Sequence, residues 1–400
     1  MKRQYLIIAA DFWADLGKRF VSLTLFDLLI FKGGDCLSNL LWLSTVEQAP
    51  SIFLSPFAGL LVDRIGSGRL LAGALICKCV LAAALVFSVL PKAIITIYLL
   101  FICTSLFFTI GRLTIIPLLV SGNRLISFNA LNERVAIAGA VTSPFIVGWT
   151  ISQIGKRAAM GMAGLLFLIA ICAVVMLPKN VAVLESEPIP NSKPQNRRNW
   201  FSAYRVIFNN NQNLGAYFIV LGLVLLGGGI LNFSLPLLFK DRFGGDISQW
   251  GFLMSLYQAG AFLSTLLLRC SAALSLRRAL IVTFVSLSAA MAVLGKLTPP
   301  FQLSWLMVLF GCGFTFMYVL FESLIQKNTP ASHVGKIVSA LLFLRGACYL
   351  GGTLGSVLVL KLLDTGSLLL VGALILLVAS MMVKASGFAR HSNFHPKKLP

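Results

Sequence analysis

The sequence predicts an all-α integral membrane protein, with twelve transmembrane helices arranged as two six-helix bundles. Three observations carry that expectation. First, 58% of the 400 residues are hydrophobic and only 12% are charged. With a mean hydropathy of +0.90, the chain is too apolar for a water-soluble globule. Second, a bilayer span needs about 20 mostly apolar residues. Twelve such segments can be counted, at 5–31, 36–61, 70–90, 93–120, 130–153, 158–178, 214–239, 248–269, 279–296, 303–326, 337–362 and 367–386. Third, the longest polar stretch, 179–213, divides those segments six and six.

Charge sets the orientation. A formal net charge of +20 would suggest a nucleic-acid partner in a soluble chain, but topology accounts for it here and no nucleic acid is expected. With alternate loops and their flanks assigned to opposite sides, the side holding both termini carries 20 Lys and Arg, and the other side 8. The remaining cations, Lys18, Arg19, Lys78, Arg112 and Arg345, lie inside spans. The positive-inside rule then puts both termini in the cytoplasm of a multi-pass protein of the cell inner (cytoplasmic) membrane.

The first span opens like a signal peptide, with Lys2 and Arg3 before an apolar run, but Asp11 interrupts it. No small-residue cleavage site follows, so an uncleaved first helix is expected. It carries Asp11, Asp15, Lys18 and Ser22 as one stripe at helical spacing. Asp15 falls roughly 15 Å along the helix, near mid-membrane. In the second span Glu47 reaches a depth of roughly 18 Å by the same rise. Each charge at the bilayer centre costs at least about 2.5–3.5 kcal/mol, so each needs a reason. Two readings stay open: a carboxylate whose protonation is coupled to a ligand, or a static ion pair such as Asp15 with Lys18. Lys78 in the third span is expected to snorkel to the interface. Arg112 in the fourth is expected to face a cavity and to pair with a carboxylate or an anionic substrate.

Between spans two and three runs Gly59-Leu-Leu-Val-Asp63-Arg64-Ile-Gly66-Ser-Gly-Arg69. It resembles the loop between helices 2 and 3 of the major facilitator superfamily, written G-x-x-x-D-R-x-G-[RK]-[RK], with Ser67, Gly68 and Arg69 over the basic positions. The resemblance implies a conformational latch at Gly59, Asp63, Arg64, Gly66 and Arg69, and a central cavity lined by helices 1 and 4. The stretch from Pro117 to Leu131, PLLVSGNRLISFNAL, resembles the helix 4–5 loop of a bacterial subgroup that includes enterobactin exporters and macrolide efflux pumps. Gly139, Ser143, Pro144 and Gly148 resemble the helix 5 Gly/Pro pattern of such antiporters. Pro236, Phe243-Gly244 and Trp250-Gly251 resemble the start of their second half.

The polar stretch begins as a flexible linker with Pro188, Pro190 and Pro194. Trp200, Tyr204, Ile207 and Phe208 then share one helical face, beside Arg197, Arg198 and Arg205, which suits an interfacial amphipathic helix. The expected organisation is therefore 1–178 as the N-terminal bundle, 179–213 as a cytoplasmic linker, and 214–400 as the C-terminal bundle with a basic tail. Parallel repeats of this kind are a transporter architecture, although the sequence repeat itself is faint. In the second half Glu322 is a cavity candidate, with Arg345 a weaker partner. Asn232, Tyr257, Gln258 and Tyr318 offer hydrogen bonds. The Gly227–Gly229 run and the Gly351/Gly355 pair are expected to serve helix crossing or bending.

No enzyme is expected. There is no GxxxxGK[ST] run to cradle a phosphate. The three histidines, His333, His391 and His395, have no metal-ligand company, so neither cofactor nor metal is expected. The eight cysteines lie in or at spans without a CxxC pair, as small packing residues. The expected function is a monomeric secondary transporter working by alternating access in the lipid bilayer, exporting an amphipathic small molecule (siderophore or drug) in exchange for protons. Alternatives are an importer of a siderophore or nutrient, a lysophospholipid flippase, and a non-transporting membrane sensor.

Overall fold

The computed structural model describes residues 5–54, 65–88, 90–119, 124–176, 212–270, 276–296, 300–327 and 334–385. Twelve long α-helices fill them: α1 Tyr5–Phe26, α2 Cys36–Phe53, α3 Ser67–Phe87, α4 Pro91–Leu119, α5 Arg124–Ile154, α6 Lys156–Val175, α7 Gln212–Phe243, α8 Ile247–Cys270, α9 Leu276–Leu294, α10 Pro300–Lys327, α11 Val334–Leu360 and α12 Thr365–Ala385. The expected spans map onto them one to one. The main boundary corrections are α2, which ends at Phe53 rather than 61, and α5, which starts at Arg124 rather than 130. Hydropathy marks where a helix enters lipid, whereas the backbone ladder continues through polar residues outside it.

Local chemistry sets many of the ends. Pro91 and Pro300 sit at the first position of their helices, where a missing N–H costs nothing. Asp35 caps α2 by accepting the Ser38 N–H at 3.1 Å, and Asp246 caps α8 through the Gln249 N–H at 2.9 Å. Gly66 precedes α3 with φ +87° and ψ +144°, a conformation open to glycine and strained for any side chain. After α1 the chain widens into a five-residue π-helical turn, Asp27–Phe31. Asn39 of α2 donates to the Leu29 carbonyl there at 2.8 Å. The buried Asp27 carboxylate pairs with Lys32 at 2.7 Å.

The chain divides into two compact units. One holds α1–α6 with the first turns of α8; the other holds α7, the rest of α8, and α9–α12. In the first unit α1 packs on α5 and α6, α3 on α4 and α6, and α2 on α4. In the second, α7 packs on α10, α11 and α12, and α9 on α10 and α12. Advancing each first-unit number by six reproduces the second-unit pairs, apart from the α2–α4 contact and the α7–α10 packing, whose counterpart α1–α4 is slight. The repeat that is faint in sequence is thus plain in packing. The Gly227–Gly229 run is used as expected: a methyl on Gly229 would lie 2.5 Å from the Tyr349 carbonyl oxygen. Its counterpart on α11 is Gly352, whereas Gly351 and Gly355 have open space beside them and make no crossing.

Among the described residues, nine helices are long and apolar enough to cross a bilayer by length and composition. The α1 helix is outside that set because it carries Asp11, Asp15, Lys18 and Arg19. Large apolar side chains such as Phe87, Leu165 and Leu358 face outward, as expected where lipid rather than water is the solvent.

Gly59, Asp63 and Arg64 of the latch, and the whole 179–208 segment, lie outside the described residues. Of the latch, Gly66 and the exposed Arg69 are described.

Candidate functional site

The stripe on α1 opens onto a cavity of about 360 Å³ in the first unit. Asp11, Asp15, Lys18 and Arg19 of α1, Lys78 of α3, Arg112 of α4, and Asn132 with Glu133 of α5 reach it. The Arg112 guanidinium forms an ion pair with Asp11, and Asn132 Nδ2 stands 3.5 Å from the same carboxylate oxygen. The sequence expectation that Arg112 would meet a carboxylate therefore holds, with Asp11 as the partner.

Asp15 is paired as well, but with Arg19 at 2.8 Å, not with Lys18. Both cations lie about one turn away. The acid-to-base order at i, i+4 is the favourable one, and the guanidinium fork offers more donors than an ammonium. Lys18 is left lining the cavity.

Lys78 does not snorkel. It is 2% exposed, and its Nζ lies 4.5 Å from the Phe108 ring centroid, with Phe167 and Phe101 at 5.8 and 5.9 Å. Each cation–π contact returns about 0.5–2 kcal/mol, whereas burying an ion costs several kcal/mol.

Glu47 takes a different position, beside α4 rather than in the cavity lining. The Tyr98 hydroxyl donates to Glu47 Oε1 at 2.9 Å, and Ser22 Oγ lies 3.1 Å from the same hydroxyl. Tyr98 is 1% exposed. Sequence reasoning named Ser22 and Glu47 and missed Tyr98, Arg19 and Asn132. The available signals were a lone tyrosine in an apolar span and a second basic residue one turn from Asp15.

On α5, Gly139 and Gly148 allow close approach. A methyl on Gly139 would meet the Phe12 ring at 3.0 Å, and one on Gly148 would lie 2.7 Å from the Ile247 carbonyl oxygen. Pro144 leaves the helix ladder one donor short. The neighbouring Ser143 hydroxyl is buried without a partner among the described residues.

In the second unit the Arg345 guanidinium stands over the Tyr318 ring at 5.3 Å. It is also within electrostatic reach of Glu322. These residues form a second polar group, on α10 and α11.

Twelve helices in two similarly packed sets, with ionisable groups converging on an internal cavity, define a multi-pass membrane transport protein. The chain belongs to the Major Facilitator Superfamily, whose sequence model matches residues 37–356. No curated protein matches the sequence. Solved structures share the fold at low identity. The nucleoside transporter NupG is 15% identical, with 96% of this chain and 99% of that chain aligned and a TM-score of 0.75. A variant of the peptide transporter POT in complex with alafosfalin is 15% identical over 95% of this chain and 94% of that one, with a TM-score of 0.74. A POT family transporter in complex with 5-aminolevulinic acid is 12% identical over 95% of each chain, with a TM-score of 0.71.

Proposed function

We propose that the protein is a secondary active transporter that works by alternating access and exports an amphipathic small molecule, of the siderophore or drug class, in exchange for protons. It acts as a monomer in the cytoplasmic membrane with both termini inside, and the Gly59–Arg69 loop is its latch. The observation that carries the coupling is the contrast among three carboxylates. Asp11 and Asp15 each hold a guanidinium, so protonating either would break an ion pair. Glu47 holds a tyrosine hydroxyl and no ion-pair partner among the described residues. It can exchange a proton without breaking an ion pair.

The hydroxyl chain suits that exchange. With Glu47 ionised, Tyr98 donates to it; with Glu47 protonated, the carboxyl donates to Tyr98, and Tyr98 turns to donate to Ser22. Hydroxyl rotors allow both polarities. The export direction and the siderophore-or-drug class rest on the resemblance of the helix 4–5 loop and of Gly139, Ser143, Pro144 and Gly148 to the exporter subgroup.

A second reading, uptake of an anion together with a proton, is favoured by Lys18. That ammonium lines the cavity and is within electrostatic reach of Glu47. Neutralising Glu47 would free Lys18 to attract an anion.

Inverted vesicles with labelled siderophores and macrolides, with and without a pH gradient, test the proposal. The Glu47→Gln protein should lose gradient-driven transport and keep substrate exchange, while Asp15→Asn keeps its response to the gradient. Gradient-driven transport that survives Glu47→Gln would overturn the assignment. Substrate binding that tightens on acidification would select the uptake reading over exchange.

A further inference from the structure

Seven charged side chains line the first-unit cavity, and their pairing leaves a remainder. Asp11 takes Arg112 and Asp15 takes Arg19. The third carboxylate, Glu133, is exposed. Lys18 and Lys78 are left, and neither has a carboxylate within ion-pair distance among the described residues. Lys78 is the more telling of the two, because its buried ammonium is enclosed by Phe101, Phe108 and Phe167. An aromatic enclosure recovers only part of the hydration that an ammonium gives up.

Two further features belong to the same space. Lys78 is within electrostatic reach of Lys18, which repels it, and of Asp15 and Asp11, whose charges are already taken by Arg19 and Arg112. The Arg112 Nε–H is buried without an acceptor among the described residues. Like charges around one cavity are best accommodated when an anion comes between them. The same cavity is lined by apolar side chains as well, Phe12, Val135 and Ala136 among them. A volume of about 360 Å³ lies at the small end of ligand pockets.

We propose that this cavity is an anion-recognition site. Lys18 and Lys78 are the counter-charges for the phosphate or carboxylate group of an amphipathic molecule whose apolar part lies against α5. Its role as a substrate site rests on the transporter reading above; the binding itself does not.

The test uses the purified full chain in phosphatidylcholine nanodiscs, titrated with octyl phosphate. Octyltrimethylammonium and octyl glucoside supply the same tail with a cation or no charge. Octyl phosphate should bind saturably and the other two should not compete. Lys78→Met and Lys18→Met should each weaken octyl phosphate by at least about tenfold, and Lys78→Arg should stay within about threefold, because charge rather than shape is retained. Lys78→Met removes a buried charge from an aromatic enclosure, so a well-folded variant is expected, checked by its elution as one monodisperse species. Octyltrimethylammonium binding as tightly as octyl phosphate, or an unchanged octyl phosphate affinity in both Met variants, would overturn the proposal.

Two further arms separate the sources of the anion, and each supports the site. Competition by inorganic phosphate marks a free solute, and competition only by nanodiscs doped with phosphatidylglycerol marks a lipid headgroup. Charge-selective binding in a protein with no gradient-driven transport would sink the transporter reading and leave the anion site standing. Transport with charge-indifferent binding would do the reverse.

Discussion

Arg112 on α4 reaches across 101 positions of sequence to pair with Asp11 on α1, and Asn132 of α5 approaches the same carboxylate oxygen. One carboxylate thus joins three helices of the first unit. The side chains are 19% and 15% exposed, low enough for the pair to behave as a buried one.

Breaking that pair from either side should therefore be costly. Asp11→Asn leaves the guanidinium uncompensated and should lower stability by about 3 kcal/mol. Arg112→Gln strands the carboxylate at a similar cost. The double variant, neutral on both sides, should be less destabilised than the sum of the two. Thermal unfolding of the four purified proteins checks this, and additive losses would show that the pair carries no coupling energy.

Tyr98→Phe removes the hydroxyl that serves both Glu47 and Ser22. Leaving a buried acceptor unsatisfied costs about 1–3 kcal/mol. The variant should slow gradient-driven transport more than substrate exchange, with folding retained. Vesicle assays at two pH values measure the split, and an equal effect on both activities would give Tyr98 a purely structural role.

Gly66→Ala places a side chain at φ +87°. The strain should cost about 1–3 kcal/mol, read as a lower unfolding temperature. Asp63→Asn, in the same loop, should impair cycling while leaving equilibrium substrate binding intact. Parallel loss of both would point to a direct binding role.

Asp364, in the turn before α12, accepts the N–H groups of Gly366 and Ser367 at 3.2 Å, and the Ser367 hydroxyl as well. The Ser367 hydrogen bonds come first among the causes that hold its carboxyl below the usual carboxylate range. A lowered folded-state value means the cap is fully present above the ordinary range and is lost as pH falls through the folded one. Hydrogen exchange at the Gly366 and Ser367 amides, corrected for intrinsic rates, should accelerate only as pH falls below the ordinary aspartate range, and not between about pH 7 and 5. Asp364→Asn should remove the pH dependence.

Reporter fusions after Asn191 and at the C-terminus should both report cytoplasm, and one near Gly34 the far side. A cytoplasmic signal at Gly34 would overturn the topology at its first step.

The helices were legible because each apolar run is long and bounded by charge, glycine or proline. The charged stripe on α1 was legible because charges are rare in such runs. Partner choice was not: Asp15 has two cations one turn away, and only side-chain geometry selects Arg19 over Lys18. The position of Lys78 was misread for a related reason. Depth along a helix suggested the interface, whereas the neighbouring Phe101, Phe108 and Phe167 come from two other helices that the local sequence does not reveal. Tyr98 was missed because a tyrosine in an apolar span is usually read as packing or interface, and its acceptor lies 51 positions away.

The wide turn after α1 has a consequence for side chains far from the cavity. Residues five apart on an α-helix point about 140° away from each other. Phe26 and Phe31 are five apart, yet their rings meet edge to face at 5.6 Å, and both contact the Trp250 indole, stacked at 5.2 Å and edge-on at 6.2 Å. The i→i+5 ladder takes up the difference by fitting one more residue into the turn. That residue acts as an insertion: deleting any single position in 27–30 would swing Phe31 out of register and open the aromatic clasp around the indole.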